Sequence, residues 1–427
     1  MPALRKSLGL TGLSFYSIGI IIGAGIYSII GAASAEAGTQ LWLSFILAAI
    51  VAGLTGLSYA ELASTFPKAG AEFIYAKKAF PQLPILHSLT GFILTVAASA
   101  TACTVALSFS GYLNSFFEVS HTLSAFLLLT LCTLINLKGI KEASWINVVF
   151  TLIEILGLVF VIWIAFRETE PLTAFLNPQL HKGVFTGASL IFFVYLGFED
   201  IANVAEETKN PGRNIPLAIL ISLSITTLLY VLVALSVMSL SSAKELSESS
   251  YPLITAIQNH SPKLLRLMGA IALFSTANTV LISLIAASRM LYGMANENAM
   301  PRILARVSRK TQAPWTASIA VFFIAICFLP FNKISIIANL SSSASLLAFA
   351  IVNICLIVLR FKKPGIERPF KVPISIGRLP LPPIFALITI AGLGLFFESE
   401  IYISLFAALV IGSLLYLTLG KIKLRLP

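Results

Sequence analysis

Charged residues are scarce in this chain of 427 residues, where Asp, Glu, Lys and Arg together make up only 11% of the sequence. Hydrophobic residues make up 57%. An ordinary soluble domain carries charge on about a quarter of its residues. The composition therefore excludes a soluble globular protein and predicts an integral membrane protein in contact with a lipid bilayer.

The chain also lacks the residue patterns typical of an enzyme. It contains neither the zinc-binding HExxH pattern nor the phosphate-binding G-x-x-x-x-G-K-[ST] loop. The histidines fall at the ends of apolar runs or between them, at His87, His121, His181 and His260. The four cysteines all lie inside apolar runs, as small packing residues do. We therefore expect no enzymatic activity, no cofactor and no bound metal of the catalytic kind.

Long uncharged runs dominate the sequence. A helix rises about 1.5 Å per residue, so it needs about 17–25 apolar residues to cross a bilayer. Twelve runs predict twelve transmembrane helices, and no segment between them is long enough for a soluble domain, so we expect one membrane domain over residues 1–427. The runs are 10–36, 41–66, 87–116, 121–138, 144–166, 183–206, 214–241, 264–295, 314–331, 334–360, 380–397 and 401–420.

The positive charges are unevenly distributed between these runs. With a cytoplasmic N-terminus and twelve crossings, 22 of the 29 lysines and arginines lie inside and 6 outside, and Arg289 lies near the inner end of the eighth span. This is the positive-inside bias of membrane proteins. It predicts a multi-pass protein of the plasma membrane with both termini cytoplasmic. No basic run is long or interleaved with aromatic residues, so we expect no nucleic-acid partner.

The first run contains an irregular glycine pattern. The stretch "GIIIGAGIYSIIG" places Gly19, Gly23 and Gly25 at mid-membrane depth. A helix unwound at this point presents N–H groups that suit a carboxylate, and carbonyl groups that suit an ammonium or a metal cation. A zwitterionic amino acid carries both charges on one carbon. The alternative is that the glycines let a neighbouring helix pack closely.

The sixth run is interrupted as well. It is uncharged only over 183–198, which is too short to cross as one helix, and then meets Glu199 and Asp200. Five spans separate this interruption from the first, which is the spacing of two repeats of opposite topology. We expect five-helix repeats over 8–167 and 183–361, followed by two accessory helices over 380–420.

Five stretches carry a family resemblance. They are "IIGAGIYSIIG" at 21–31, "LSYAELASTFPKAGAEFIYAKKAF" at 57–80, "VYLGFEDIANVAEETKNPGRNIPLAI" at 194–219, "ASRMLYGMANENAMP" at 287–301 and "ERPFKVP" at 367–373. In this order they resemble the amino acid–polyamine–organocation permeases, and the last resembles the branch similar to cationic amino acid transporters. The resemblance implies a twelve-helix inverted-repeat fold with broken helices 1 and 6, and alternating access to a central site.

The resemblance also implies a substrate site at the two interruptions. The N–H groups of Ala24 and Gly25 would hold the substrate carboxylate, and carbonyl groups of Ile21, Phe193 and Leu196 would hold its amine. The candidate substrate-site residues are Ile21, Gly23, Ala24, Gly25, Ile26, Phe193, Leu196, Phe198 and Glu199.

Three side chains near the sixth-span interruption have alternative roles. Phe193 and Phe198 could close over the ligand or pack against lipid and the core. Glu199 matches an acidic position of the family and would couple gating to protonation, or it could bond to backbone freed by the break. The neighbouring Asp200 is expected to pair with water or another helix.

The fifth span departs from the family, because some proton-coupled relatives carry a lysine where this sequence has Glu154. Burial in an apolar span favours the neutral carboxyl, so Glu154 can load and release a proton. As an anion it could instead complete a sodium site with Ser275, Thr276 and carbonyl groups near Gly23. A structural bond to a neighbouring helix is the third possibility. Asn278 either belongs to this site or packs.

The tenth span departs too, with "SSSAS" at 341–345, where relatives place a small or glycine-containing turn. The hydroxyl groups of Ser341, Ser342 and Ser343 could line the cavity or bond to their own helix.

Together these observations favour a secondary active amino acid transporter coupled to protons. The alternatives are a sodium-coupled symporter, an amino acid/polyamine exchanger, and a membrane sensor that binds an amino acid without moving it. No filter motif of a channel is present.

Overall fold

The computed structural model describes residues 4–114, 116–168, 178–249, 251–258, 262–330 and 334–396, together with residues 399, 402–403, 406–407, 409–410 and 413. The described chain is mostly helical, so the all-α prediction is confirmed. Its one sheet in the described residues is a two-stranded antiparallel hairpin that joins β1 (Ser375–Ile376) to β2 (Leu379–Pro380).

Fifteen α-helices are present in the described part of the chain. They are α1 Leu10–Ile22, α2 Ala24–Ala37, α3 Leu41–Thr65, α4 Ala71–Ala79, α5 Pro84–Asn114, α6 His121–Lys138, α7 Ile140–Glu168, α8 Lys182–Tyr195, α9 Pro211–Leu240, α10 Ala243–Glu248, α11 Pro252–Ala256, α12 Pro262–Asn296, α13 Trp315–Cys327, α14 Ile334–Lys362 and α15 Leu381–Gly394. Short 3₁₀ segments lie at Gly38–Gln40, Phe198–Ala202, Ala205–Glu207 and Arg302–Ala305.

Nine helical stretches of the described residues are long and apolar enough to cross a membrane. Two further apolar helices, α13 and α15, have only 13 and 14 residues. The first eleven predicted runs therefore each contain an apolar helix, which confirms a membrane protein with many apolar helices. The twelfth predicted run, 401–420, lies largely outside the described residues, and so does the side chain of Ser342.

The ninth predicted run is longer than the helix that forms. The prediction covered 314–331, whereas α13 ends at Cys327 and turns follow at Phe328 and Leu329. Pro330 comes directly after them. A residue before proline is pushed out of the helical region, so an apolar run does not stay helical up to a proline.

Helix packing is dominated by two long contacts, that of α3 against α9 and that of α5 against α12. The interrupted helices lie beside these pairs. The first half, α1, packs against α9 and α7, while α8 packs against α3 and α2. The ends of α1 and α8 are thereby brought to the middle of the bundle.

One buried carboxylate fixes the loop that follows α14. Both Arg360 and Arg368 donate to Glu61, with Arg360 Nη2 at 2.5 Å from Glu61 Oε2 and Arg368 Nε at 3.1 Å from Oε1. The Val372 N–H donates to the same carboxylate at 2.7 Å. The "ERPFKVP" stretch is therefore attached to the end of α3.

Candidate substrate site

The first helix is interrupted at a single residue. Helix α1 ends at Ile22, helix α2 begins at Ala24, and Gly23 between them has φ −40° and ψ −155°. A helix begins with N–H groups that point outward from its first turn and with the positive end of its dipole. The first turn of α2, which contains Ala24 and Gly25, is therefore directed toward the middle of the bundle.

The second interruption follows α8. Leu196 is extended, Gly197 has φ +112°, and a 3₁₀ segment begins at Phe198. A Cβ on Gly197 would lie 2.7 Å from Ile20 Cγ1, so both the backbone conformation and the contact with α1 require glycine here. The two interruptions are therefore packed against each other.

A cavity of about 360 Å³ lies between the interruptions. Five candidate residues line it, namely Ile21, Gly25, Phe193, Leu196 and Glu199. Of the remaining candidates, Gly23, Ile26 and Phe198 do not line it, and the side chain of Ala24 lies outside the described residues. Volumes of this order accommodate small organic ligands.

The two candidate phenylalanines differ in position. Phe193 lines the cavity. Phe198 is fully buried among other rings, with its centroid 5.8 Å from that of Tyr59 and 5.1 Å from that of Phe349. Phe198 therefore belongs to an aromatic cluster that supports the second interruption.

Two of the candidate carbonyl groups already accept one hydrogen bond. The Tyr230 hydroxyl donates to Ile21 O at 2.5 Å, and the Leu196 N–H donates to Phe193 O at 3.2 Å. A carbonyl oxygen has two lone pairs, so neither of these hydrogen bonds by itself saturates its carbonyl oxygen.

The Glu199 carboxylate contacts the backbone of the break. Its Oε2 accepts the Gly197 N–H at 2.7 Å, the bond that the sequence offered as an alternative role. Glu199 also lines the cavity, so the same residue supports the break and contacts the cavity.

Sequence reasoning missed Glu72 of α4, which lines the cavity from a helix outside the spans. Its Oε1 accepts the Tyr59 hydroxyl at 3.0 Å, and its Oε2 lies 3.5 Å from Asn203 Nδ2. Burial raises the pKa of Glu72 to about 7, and these two hydrogen bonds act in the opposite direction. A signal was available, since Glu72 is an acid in a loop otherwise rich in lysine.

The ionisable side chains of the cavity wall are all acidic among the described residues. Glu72, Glu199 and Asp200 line it, and no Lys, Arg or His does so among the described residues. Hydroxyl groups come from the long pair α5 and α12, at Thr101, Thr104, Ser108, Thr279 and Ser283. No sequence pattern singles out these five residues.

Ser341 of α14 faces α5. It lines the cavity, donates to Ala97 O at 2.9 Å and accepts the Thr101 hydroxyl at 2.8 Å. Its hydroxyl therefore lines the cavity and ties α14 to α5.

The predicted ion-coupling residues lie away from the cavity, and two of them belong to a buried polar network between α7 and α12. Asn278 Nδ2 donates to Glu154 Oε1 at 3.1 Å and to Thr151 Oγ1 at 3.2 Å. Asn147 Nδ2 donates to Asn278 Oδ1 at 3.0 Å. Glu154 and Asn278 are thus brought together, and Asn147 and Thr151 are members that the sequence did not reveal.

The two hydroxyl candidates of α12 differ. Thr276 donates to Ala272 O at 2.8 Å, a bond within its own helix. Neither Ser275 Oγ nor Glu154 Oε2 has a hydrogen-bond partner among the described residues, although both are buried. No group of three His, Cys, Asp or Glu side chains suited to a metal occurs in the described ranges.

The glycines of the first span allow close packing. A Cβ on Gly19 would overlap Thr151 of the polar network, and a Cβ on Gly23 would overlap Thr279 Oγ1. A Cβ on Gly25 would lie 3.3 Å from Val194 Cα. Such close contacts are what the packing alternative predicts, and they are closer at Gly19 and Gly23 than at Gly25.

Comparison with known proteins gives the family. A family model described as amino acid permease matches residues 8–417 of the 427. The chain belongs to the amino acid–polyamine–organocation permeases. The resemblance seen in the sequence, including that to the cationic-amino-acid-transporter-like branch, is confirmed.

Three relatives have the same sequence identity to this chain. A branched-chain amino acid permease of Bacillus subtilis is 28% identical over 92% of this chain and 89% of its own length. A methylthioribose transporter of the same species is 28% identical over 97% of this chain and 93% of its own length. The vacuolar cationic amino acid transporter 4 of Arabidopsis thaliana is 28% identical over 84% of this chain, which spans 64% of that relative. These relatives are transporters rather than enzymes by name.

Proposed function

We propose that this permease is a secondary active amino acid transporter that works by alternating access. The observation that carries the proposal is the cavity where the start of α2 meets the end of α8. Irregular backbone at membrane depth is tolerated where it is buried in protein or lines a cavity. Both interruptions meet this condition.

The substrate would be a zwitterionic amino acid. Its carboxylate would bind at the first turn of α2, near the N–H groups of Ala24 and Gly25. Its ammonium would bind the remaining lone pairs of Ile21 O and Phe193 O together with Leu196 O. Phe193 would close over the bound molecule.

An inverted repeat of five helices in each half would provide the two states. In this scheme α1–α2, α3, α5, α6 and α7 correspond to α8, α9, α12, α13 and α14. Helix packing supports it, because exchanging the halves maps the α3–α9 and α5–α12 contacts onto themselves. The same exchange maps the α1–α9 contact onto α8–α3 and the α5–α6 contact onto α12–α13.

The driving ion would be a proton carried by Glu154. The carboxyl is buried, is the one acid of its network, and has a single hydrogen-bond partner among the described side chains. A sodium site would need more oxygen ligands around it than Glu154 and Ser275 supply. Thr276, which bonds within its own helix, is an unfavourable third ligand.

The membrane would be the plasma membrane, with the end of the bundle where α1 begins on the cytoplasmic side. The positive-inside bias of the lysines and arginines supports this orientation.

Uptake by purified protein in sealed vesicles tests the proposal. Labelled amino acids are supplied under an imposed pH gradient, an imposed sodium gradient, or neither. We expect at least one amino acid to accumulate under the pH gradient and not after a protonophore collapses it. Accumulation that follows only sodium would reject proton coupling, and binding without accumulation would indicate a sensor.

A further inference from the structure

A groove of about 460 Å³ lies outside the bundle, where α9 begins. The loop after α14 forms one of its walls through Pro369 and Phe370. The N-cap and the first three turns of α9 form the other wall, through Asn210, Arg213, Leu217 and Leu220. The groove is separate from the substrate cavity and shares no residue with it.

The rim of the groove is positively charged. Arg213 is exposed and takes part in no ion pair within the described part of the chain, and no acid lines the groove. Lys209 and Lys371 are exposed immediately beside lining residues. The backbone bridge between Leu8 and Thr208 brings the basic N-terminal segment to the same face.

The floor of the groove continues into an apolar stripe. Leu217 and Leu220 follow Arg213 on one face of α9, and Leu220 is 37% exposed. Further along this face, Leu228 is 62% exposed. A helix rises about 1.5 Å per residue, so Leu220 lies about 10 Å deeper than Arg213. The stripe therefore leads from the level of lipid headgroups into the acyl chains.

We propose that this groove binds an anionic glycerophospholipid. The Arg213 guanidinium would hold the phosphate with paired N–H donors, and an acyl chain would lie along Leu217 and Leu220. Basic pockets between helices at the membrane surface are known to take anionic headgroups. The apolar floor selects a lipid over a free phosphate ion, because a free ion would leave Leu217 and Leu220 uncovered.

The test measures which lipid stays bound. The full-length protein is purified in detergent with equimolar phosphatidylglycerol and phosphatidylcholine, and bound lipids are counted by native mass spectrometry. We expect wild type to retain phosphatidylglycerol preferentially, and Arg213→Gln to lower the ratio of the two lipids about fivefold. The matched control is Lys244→Gln, which removes an exposed cation beyond the other end of α9 and should keep the wild-type ratio.

Two results would overturn the proposal. The first is an Arg213→Gln ratio equal to that of wild type, since the exposed side chain can be replaced without affecting folding. The second is displacement of phosphatidylglycerol by inorganic phosphate at equal concentration, which would indicate a soluble-anion site. Retention of the lipid in the presence of phosphate supports the lipid assignment.

Discussion

Arg289 and Glu207 form a fully buried ion pair, with side chains 0% and 1% exposed. Arg289 Nε lies 2.9 Å from Glu207 Oε2, and Nη2 lies 3.1 Å from Oε1, so the pair is bidentate. Arg289 Nη1 also donates to Asn136 Oδ1. The pair therefore joins α12 to α6 and to the segment between α8 and α9. Glu207 O in turn accepts the N–H groups of Ser7 and Leu8, which attaches the start of the chain.

Replacing Glu207 with Gln should destabilise the protein strongly. Arginine stays charged, so the substitution leaves a buried cation without its counter-charge, at a cost of about 3–5 kcal/mol. The measurement is the free energy of unfolding in detergent. The control is Glu248→Gln in the pair Lys244–Glu248, which is exposed and 4.0 Å long and should matter little. Similar small losses for both variants would contradict the structural role of the buried pair.

Replacing Gly23 with Ala should abolish uptake. The new Cβ would overlap Thr279 Oγ1, so α1 and α12 must separate, and overpacking of this kind costs about 1–3 kcal/mol. Gly25→Ala is the matched comparison for the overlap. The Cβ of this variant would lie 3.3 Å from Val194 Cα, so its neighbours need to shift less than those of Gly23→Ala.

A second substitution tests the cause. Thr279→Ala removes the overlapping oxygen, so the double variant Gly23→Ala/Thr279→Ala should regain the unfolding temperature that the single variant lost. If the double variant were no more stable than Gly23→Ala, the contact with Thr279 would not be the reason that glycine is needed.

Hydropathy predicts the spans well because a bilayer demands apolar length, whichever neighbours a helix packs against. Hydropathy does not predict helix α4, which lies between the second and third apolar runs. The charge pattern of this segment does favour a helix, because Glu72 in the first turn and Lys77 and Lys78 in the last turn suit the helix dipole. A nine-residue helix outside the membrane leaves no hydropathy signal.

The site was less predictable than the spans. Backbone interruptions follow from local glycine and acid positions, so Ile21, Gly25 and Leu196 were found. Glu72 lines the cavity beside Asn203, which is 131 residues away in sequence, and Arg289 pairs with Glu207, which is 82 residues away. Such pairings depend on tertiary packing, which periodicity does not report.

Glu72 should make stability depend on pH. Its pKa is raised to about 7 by burial, and in the unfolded chain it would be about 4.3. Between these values the folded state keeps a proton that the unfolded state has lost, so the free energy of unfolding falls as pH rises. Glu72→Gln stays neutral, so its stability relative to wild type should increase by about 3 kcal/mol between pH 4 and 8.

Glu297→Gln is a control of opposite sign. Burial raises the pKa of Glu297, but ion pairs with Lys77 and Lys68 outweigh this effect and lower it overall. Its carboxylate therefore stabilises the fold fully above pH 4.5, and the variant should lose stability relative to wild type as pH rises toward 4.5. Thermal unfolding across pH 3–8 covers both slopes. A difference in stability between Glu72→Gln and wild type that does not change with pH would mean that Glu72 does not titrate in this window.

Replacing Glu154 with Gln should separate uptake from the proton gradient. Glutamine keeps an acceptor for Asn278 Nδ2 and nearly the same shape, so the network between α7 and α12 should persist. It has no carboxyl proton to release, so we expect exchange of labelled for unlabelled substrate to continue while gradient-driven accumulation is lost. Glu142→Gln, at an exposed acid of the same helix, should accumulate substrate as wild type does. Accumulation by Glu154→Gln at the wild-type level would show that the carboxyl only supports packing between the two helices.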